Sequence, residues 1–156
     1  MAKEIERKFL VKDSVINHLK DGVLYRQGYL SSVPERIVRL RIYNGSGYIT
    51  VKGFPDGITR PEYEYKIPVV DAAEMLDSIC EKPIIEKIRY KIEHKGNTWE
   101  VDKFLGENEG LIVAEIELEN EAAAFIKPEW LGEEVTYDPR YLNSNLIRTP
   151  FKCWNG

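Results

Sequence analysis

"EIERKFLV", residues 4–11, sets two glutamates and a lysine two apart (Glu4, Glu6, Lys8), with Ile5 and Phe9 between and beyond them. Side chains alternate across a strand, so the three charges share one side and the apolar pair takes the other. The same period of two recurs at 24–32 ("LYRQGYLSS"), 36–44 ("RIVRLRIYN"), 47–53 ("GYITVKG"), 60–67 ("RPEYEYKI"), 84–94 ("IIEKIRYKIEH"), 97–105 ("NTWEVDKFL") and 110–120 ("GLIVAEIELEN"). "NGSG" at 44–47 and "KGN" at 95–97 read as the turns of hairpins. Eight strands joined mostly by short turns imply a mainly β chain with an antiparallel sheet large enough to curl or close.

Helices are expected at three places. "KDSVINHL" reads as a short helix capped by Asp13 or Ser14, and "VDAAEMLDSIC" (70–80) as a longer one with Asp71 and Glu74 at capping-box spacing. Asn120 is a candidate cap for a third through "EAAAFI", stopping before Pro128. The tail shows turn chemistry at "YDPRY" and no clear periodicity. Without repeats, low-complexity tracts or a linker, residues 1–156 read as a single domain.

Composition narrows the function. The 22 basic and 26 acidic residues leave a net charge of -4, which argues against a general nucleic-acid binder. No apolar run approaches the ~20 residues of a membrane span, and no secretory signal opens the chain. Cys80 and Cys153 are too few for a disulfide framework, so the cytoplasm is the expected location. His18 and His94 stand alone, which disfavours a zinc site. P-loop and nucleophile-elbow patterns are absent.

Strand parity gives the main clue. Carboxylates form same-face pairs at Glu4/Glu6, Glu62/Glu64, Glu100/Asp102 and Glu115/Glu117, and cations at Arg39/Arg41 and Lys87/Arg89, with Lys8 and Lys52 as single additions. The opposite faces carry Leu40 and Ile42, Val51, Tyr63 and Tyr65, Ile88 and Tyr90, Ile116 and Leu118. A half-exposed antiparallel sheet would explain one such strand. Like charges side by side repel, however, and an ordinary soluble surface intersperses the signs. If a closed barrel turned these faces inward, its lumen would be wet and its charges matched. Carboxylates without His or Cys suit hard cations such as Mg²⁺ or Mn²⁺, and clustered Arg and Lys suit phosphate. Together they ask for a phosphate-rich anion chelated by a divalent metal. The apolar faces would then point outward, under the helices and the tail.

At these residues the chain resembles the CYTH superfamily of triphosphate tunnel metalloenzymes, whose N-terminal ExExK signature is similar to "EIERKFLV". The likeness continues in order through "RQGYL" (26–30), "VRLR" (38–41), "TVKG" (50–53), "RPEYEY" (60–65), "EKIRY" (86–90), "WEVDKF" (99–104), "AEIEL" (114–118) and "GEEVTYDPRYLN" (132–143). It is greatest to the short bacterial branch that hydrolyses inorganic tripolyphosphate. The resemblance implies an eight-stranded antiparallel closed β-barrel with a charged interior. It implies that Lys8, Arg39, Arg41, Lys52, Lys87 and Arg89 hold the triphosphate and serve catalysis. Glu4, Glu6, Glu62, Glu64, Asp102, Glu115 and Glu117 would serve the metals, with Glu100 sharing their parity, and Tyr29 would lie near the site or pack beside it.

The expected activity is divalent-metal-dependent tripolyphosphate hydrolysis by a monomer or homodimer, with neither nucleic acid nor membrane as partner. The alternatives are a class IV adenylate cyclase, which needs an adenine pocket, and a thiamine triphosphatase, which needs a stacking surface. A non-catalytic polyphosphate-binding module would need the cations but not a complete acidic wall.

Overall fold

The computed structural model describes residues 3–154. Eight strands form the barrel: β1 (Lys3–Val11), β2 (Val23–Val33), β3 (Arg36–Tyr43), β4 (Ser46–Gly53), β5 (Thr59–Ile67), β6 (Ile85–His94), β7 (Asn97–Phe104) and β8 (Ile112–Glu117). They are ordered β5-β4-β3-β2-β6-β7-β8-β1, and every ladder is antiparallel. β1 closes the ring by pairing with β5 through Lys3↔Pro61, Glu4↔Arg60 and Ile5↔Thr59. A closed barrel leaves no unpaired edge among its staves.

Two of the hairpins are set by backbone chirality. Asn44–Gly45 and Lys95–Gly96 have φ of 50° and 72°, and 49° and 87°, so both central residues of each loop are left-handed. That is the type I′ turn, whose twist matches the strands it joins.

A ninth strand was not expected. β9 (Leu131–Glu134) pairs with the end of β1 through Phe9↔Glu134 and Val11↔Leu131. Its "LGEE" is too short to show alternation, so only the pairing reveals it.

The helices depart from expectation in three ways. α1 (Val69–Ser78) forms where predicted, but Pro68 occupies its N-cap and the Asp71–Glu74 box does not cap it. The Pro68 carbonyl accepts from Ala72 N at 3.1 Å, so the helix starts at the proline, ahead of the predicted cap. Residues Asp13–His18 form only a 3-10 turn with Lys12 before it and no side-chain cap. "EAAAFI" is not helical. Asn120 instead closes a tight turn, its Oδ1 accepting from Ala122 N at 2.9 Å. Beyond the turn, Phe125 packs edge-on to Phe9 and Trp99, and that burial overrides the helical preference of the alanines.

Packing outside the barrel falls in two regions. Ile5, Phe9, Trp99, Ile116 and Trp130 form one, covered by residues that include Phe125. In the other, α1 lays Leu76 against Leu40 and Cys80. It can approach because β2 and β4 carry glycines: a Cβ on Gly28 would lie 2.9 Å from Leu76 Cδ2, and one on Gly47 2.8 Å from Ala72 Cβ. Val51, Tyr63 and Tyr65, expected under cover, are instead 39%, 43% and 60% exposed. Helix α1 covers the Gly47 end of β4, with Ile49 and Ile67 packed beside Leu76, and Val51, Tyr63 and Tyr65 lie farther along the strands.

The tail has a second use. Tyr29, Ile37, Ile85, Phe104 and Val113 share parity with the charged positions but sit at one end of the barrel, and Leu146 and Ile147 pack onto them. Leu146 closes the short helix α2 (Asn143–Leu146). The inner face is thus charged along most of its length and apolar at one end, where the C-terminal segment forms a floor.

Candidate functional site

Within the barrel lies a cavity of about 280 Å³ bordered by Glu4, Glu6, Lys8, Tyr29, Arg39, Arg41, Lys52, Glu62, Glu64, Lys87, Arg89, Glu100, Glu115 and Glu117. The parity that placed these residues on shared faces therefore brings them together. Asp102 does not border the cavity. It is fully buried, hydrogen-bonded to Arg89 Nε (2.7 Å) and Nη2 (2.8 Å) and ion-paired to Lys87 Nζ at 2.7 Å.

Register explains the pairings. Antiparallel partners set Arg89 opposite Asp102, Lys8 opposite Glu115 and Lys52 opposite Glu62. Arg89 also reaches Glu115 at 3.2 Å and Glu100 at 3.4 Å, while Lys52 bridges Glu4 at 3.1 Å and Glu62 at 3.4 Å. Arg39 meets Glu64 at 3.4 Å. The same register sets Glu6 opposite Glu117 and Glu100 opposite Glu115, like charges that repel.

Those repulsions polarise the cavity. Burial, Glu115 and Glu4 push the Glu6 carboxyl well above the usual range. Burial would raise Glu115 too, but Lys8, the hydrogen bond from Glu6 and Arg89 outweigh it and hold that carboxylate well below its usual value. Glu62 and Glu117 are also raised, by burial and by neighbouring acids that include Glu4. On the cationic side, burial and repulsion from Arg39 and Arg89 pull Arg41 down to about 10. Burial likewise pulls Lys87 down to about 7 despite Asp102.

Two donors are left over. Among the described residues Arg41 has no carboxylate partner: its Nε donates to Gln27 and its guanidinium lies 5.1 Å over the Tyr25 ring. Arg39 Nε is buried with no hydrogen-bond partner. One side of the cavity thus has unspent donors and the other has surplus carboxylate, whose hard oxygens fit Mg²⁺ or Mn²⁺ rather than a soft metal. Among the described residues no three such side chains are gathered into a ready-made metal cluster. The carboxylates flank the cavity as pairs.

Several residues that border the cavity (Arg60, Tyr25, Asn143) or support its walls (Gln27, Thr50) escaped the sequence reading. Arg60 shares parity with Glu62 and Glu64, and its Nε donates to the Gly53 carbonyl at 2.7 Å. Gln27 and Tyr25 share parity with Tyr29. Thr50, fully buried, accepts from Arg39 Nη2 at 3.1 Å and donates to Glu64 at 2.9 Å. Parity could have found all four, had the charges not been weighed alone. Asn143 gives no such signal, because it reaches the cavity from the irregular tail.

Comparison with known proteins agrees with this picture. The family model described as the CYTH domain matches residues 2–148. An inorganic triphosphatase of Acetivibrio thermocellus is 59% identical over 152 residues, 97% of each chain. An inorganic triphosphatase of Nitrosomonas europaea is 41% identical over 151 residues, 92% of this chain and 95% of that one. A crystal structure of an inorganic triphosphatase superposes with a TM-score of 0.65 at 38% identity, covering 94% of this chain and 95% of the other.

Proposed function

The chain belongs to the CYTH family, and from that premise we propose that it hydrolyses inorganic tripolyphosphate in the barrel cavity with the help of Mg²⁺ or Mn²⁺. The observation that carries this reading is the polarised cavity, with unspent arginine donors facing surplus carboxylates. The proposal includes one domain over 1–156, acting in the cytoplasm as a monomer or homodimer. Among the described residues no helix is long and apolar enough to cross a membrane.

Water attacks a terminal phosphoryl group, the phosphoanhydride bond breaks, and phosphate and pyrophosphate leave. No covalent enzyme intermediate is required. Arg39, Arg41, Lys87 and Arg89 hold phosphate oxygens on one side, and Lys8 and Lys52 reach them from β1 and β4. As charge builds on the transferring and leaving groups, these fixed cations offset it without reorganising. Glu4, Glu6, Glu62, Glu115 and Glu117 are the residues that would hold the divalent ion, with Glu64 beside them. When bound, that ion neutralises phosphate charge and lowers the pKa of water. Asp102 is assigned to the other set: with both oxygens taken, it holds Lys87 and Arg89 in place.

A metal-dependent panel tests the activity. Tripolyphosphate should release phosphate much faster than ATP, thiamine triphosphate or pyrophosphate, because the cavity offers charge along a compact anion. Cyclic AMP formed from ATP faster than phosphate from tripolyphosphate would overturn the reading in favour of a cyclase.

Metal binding should also be linked to pH. The folded pKa of Glu6 lies above the ordinary value of 4.5. The stability its proton contributes is therefore present below that value and lost as pH rises through the folded pKa. A bound cation favours the deprotonated form, so metal affinity should rise with pH across the same window and binding should release a proton. Calorimetric titration with Mg²⁺ in buffers of different ionisation enthalpy measures the release. A heat independent of buffer would contradict it.

A further inference from the structure

Gln27 on β2 carries no charge, yet it is fully buried and both polar atoms of its side chain are engaged. Its Nε2 donates to Asn143 Oδ1 at 3.0 Å and, at 3.4 Å, to the Tyr29 hydroxyl. Its Oε1 accepts from Arg41 Nε at 2.9 Å. The same Asn143 oxygen accepts from Lys87 Nζ at 2.9 Å. One carbonyl of the C-terminal segment therefore touches one phosphate-site cation directly and reaches a second through Gln27.

The order of this relay has a physical consequence. A carboxamide has a donor end and an acceptor end, and Asn143 presents an acceptor to Gln27. The donor end of Gln27 must face it, which turns the acceptor end to Arg41. Reversed, Gln27 would set an N–H against the Arg41 N–H, and a buried donor would lose its partner. With Nε held by Gln27 and the guanidinium plane laid over Tyr25, the two terminal nitrogens of Arg41 are the donors left for a ligand.

We propose that Gln27, oriented by Asn143, is a positioning residue that fixes the Arg41 guanidinium for phosphate. This rests on the triphosphatase reading and adds to it a role for two uncharged residues, one of them in the C-terminal segment. If Gln27 only satisfied a buried space, its removal would cost the same whether or not Arg41 were present.

A double-mutant cycle distinguishes the two. Gln27→Met keeps the approximate volume and removes the hydrogen bonds to Arg41, Asn143 and Tyr29. In the otherwise native chain it should lower kcat/KM for tripolyphosphate at saturating Mg²⁺ by roughly ten- to hundredfold, the range for a lost hydrogen bond to a charged group. In the Arg41→Ala background the same change should cost about twofold or less, because the two act as one unit. Asn143→Ala should lose only the part of its cost that runs through Gln27 in the Arg41→Ala background, because Asn143 also holds Lys87, and it provides the cycle should Gln27→Met fail to fold. The cycle is repeated on tripolyphosphate binding to the metal-free protein, a readout that needs no hydrolysis. Equal losses in both backgrounds, or no loss with Arg41 present, would overturn the proposal. Failure of the native chain to hydrolyse tripolyphosphate would instead strike at the activity, while the binding cycle still decides the role of Gln27.

Discussion

Arg41→Ala lowers kcat/KM for tripolyphosphate by roughly 10²–10³, or ~2.7–4 kcal/mol of transition-state stabilisation, the usual cost of losing one well-placed electrostatic donor. The magnitude sits at the upper end of what a single cation supplies because Arg41 has no carboxylate partner to release. In the folded protein it is buried and stands among cations, and burial, with Arg39 and Arg89 beside it, lowers its pKa to about 10. In the proposed function a phosphate chain is the partner of this buried cation. Raising Mg²⁺ should not restore the variant. Glu117→Gln should also lose activity but be partly restored by excess metal, since weaker metal binding is offset by mass action. Activity against metal concentration, with Tm as a control, measures both. Metal rescue of Arg41→Ala but not of Glu117→Gln would mean the two walls are assigned the wrong way round.

The second large effect is on stability. Asp102→Asn should destabilise the protein by about 3–5 kcal/mol, because it removes the buried carboxylate paired with Lys87 and the two-oxygen partner of Arg89. For a chain of this size that corresponds to a Tm lower by roughly 6–20 °C. Glu62→Gln should leave Tm unchanged or raise it, since burial and Glu4 disfavour that carboxylate in the folded state. Both variants remove one negative charge, so opposite signs would show that position, not charge count, decides. Thermal melting of the metal-free proteins is the measurement. An unchanged Tm for Asp102→Asn would mean that Lys87 and Arg89 find other partners, and that Asp102 does not hold them.

The strands and their shared charged faces were largely legible in the residues, while closure into eight staves was what the family resemblance implied. Same-sign pairs such as Arg39/Arg41 and Glu62/Glu64, repeated from strand to strand, pointed to a shared charged face, and alternation fixes which side chains share a face whatever lies far away in sequence. Asn-Gly and Lys-Gly at the hairpin tips are equally local, because a left-handed turn is a property of the residues in it. Helix at "EAAAFI" was a local expectation that failed for a non-local reason, the pull of Phe125 onto Phe9 and Trp99.

Tertiary structure alone decided the rest. Parity assigns Glu100 and Asp102 to one face but cannot say which borders the cavity and which lies buried behind Lys87 and Arg89. Depth within a barrel depends on how the staves are staggered, and that stagger arises only on closure. Nor can alternation report that Ile37, Ile85 and Phe104 form an apolar floor beneath the charges, since that floor exists only once Leu146 and Ile147 arrive from the tail. Asn143 is the extreme case: 116 positions from Gln27 along the chain, it meets Gln27 and Lys87 through one carbonyl oxygen. The chemistry of the site is written in residue type and spacing, which are local. Its division of labour between bound ion, phosphate and structural support is set by distances that only the closed barrel creates.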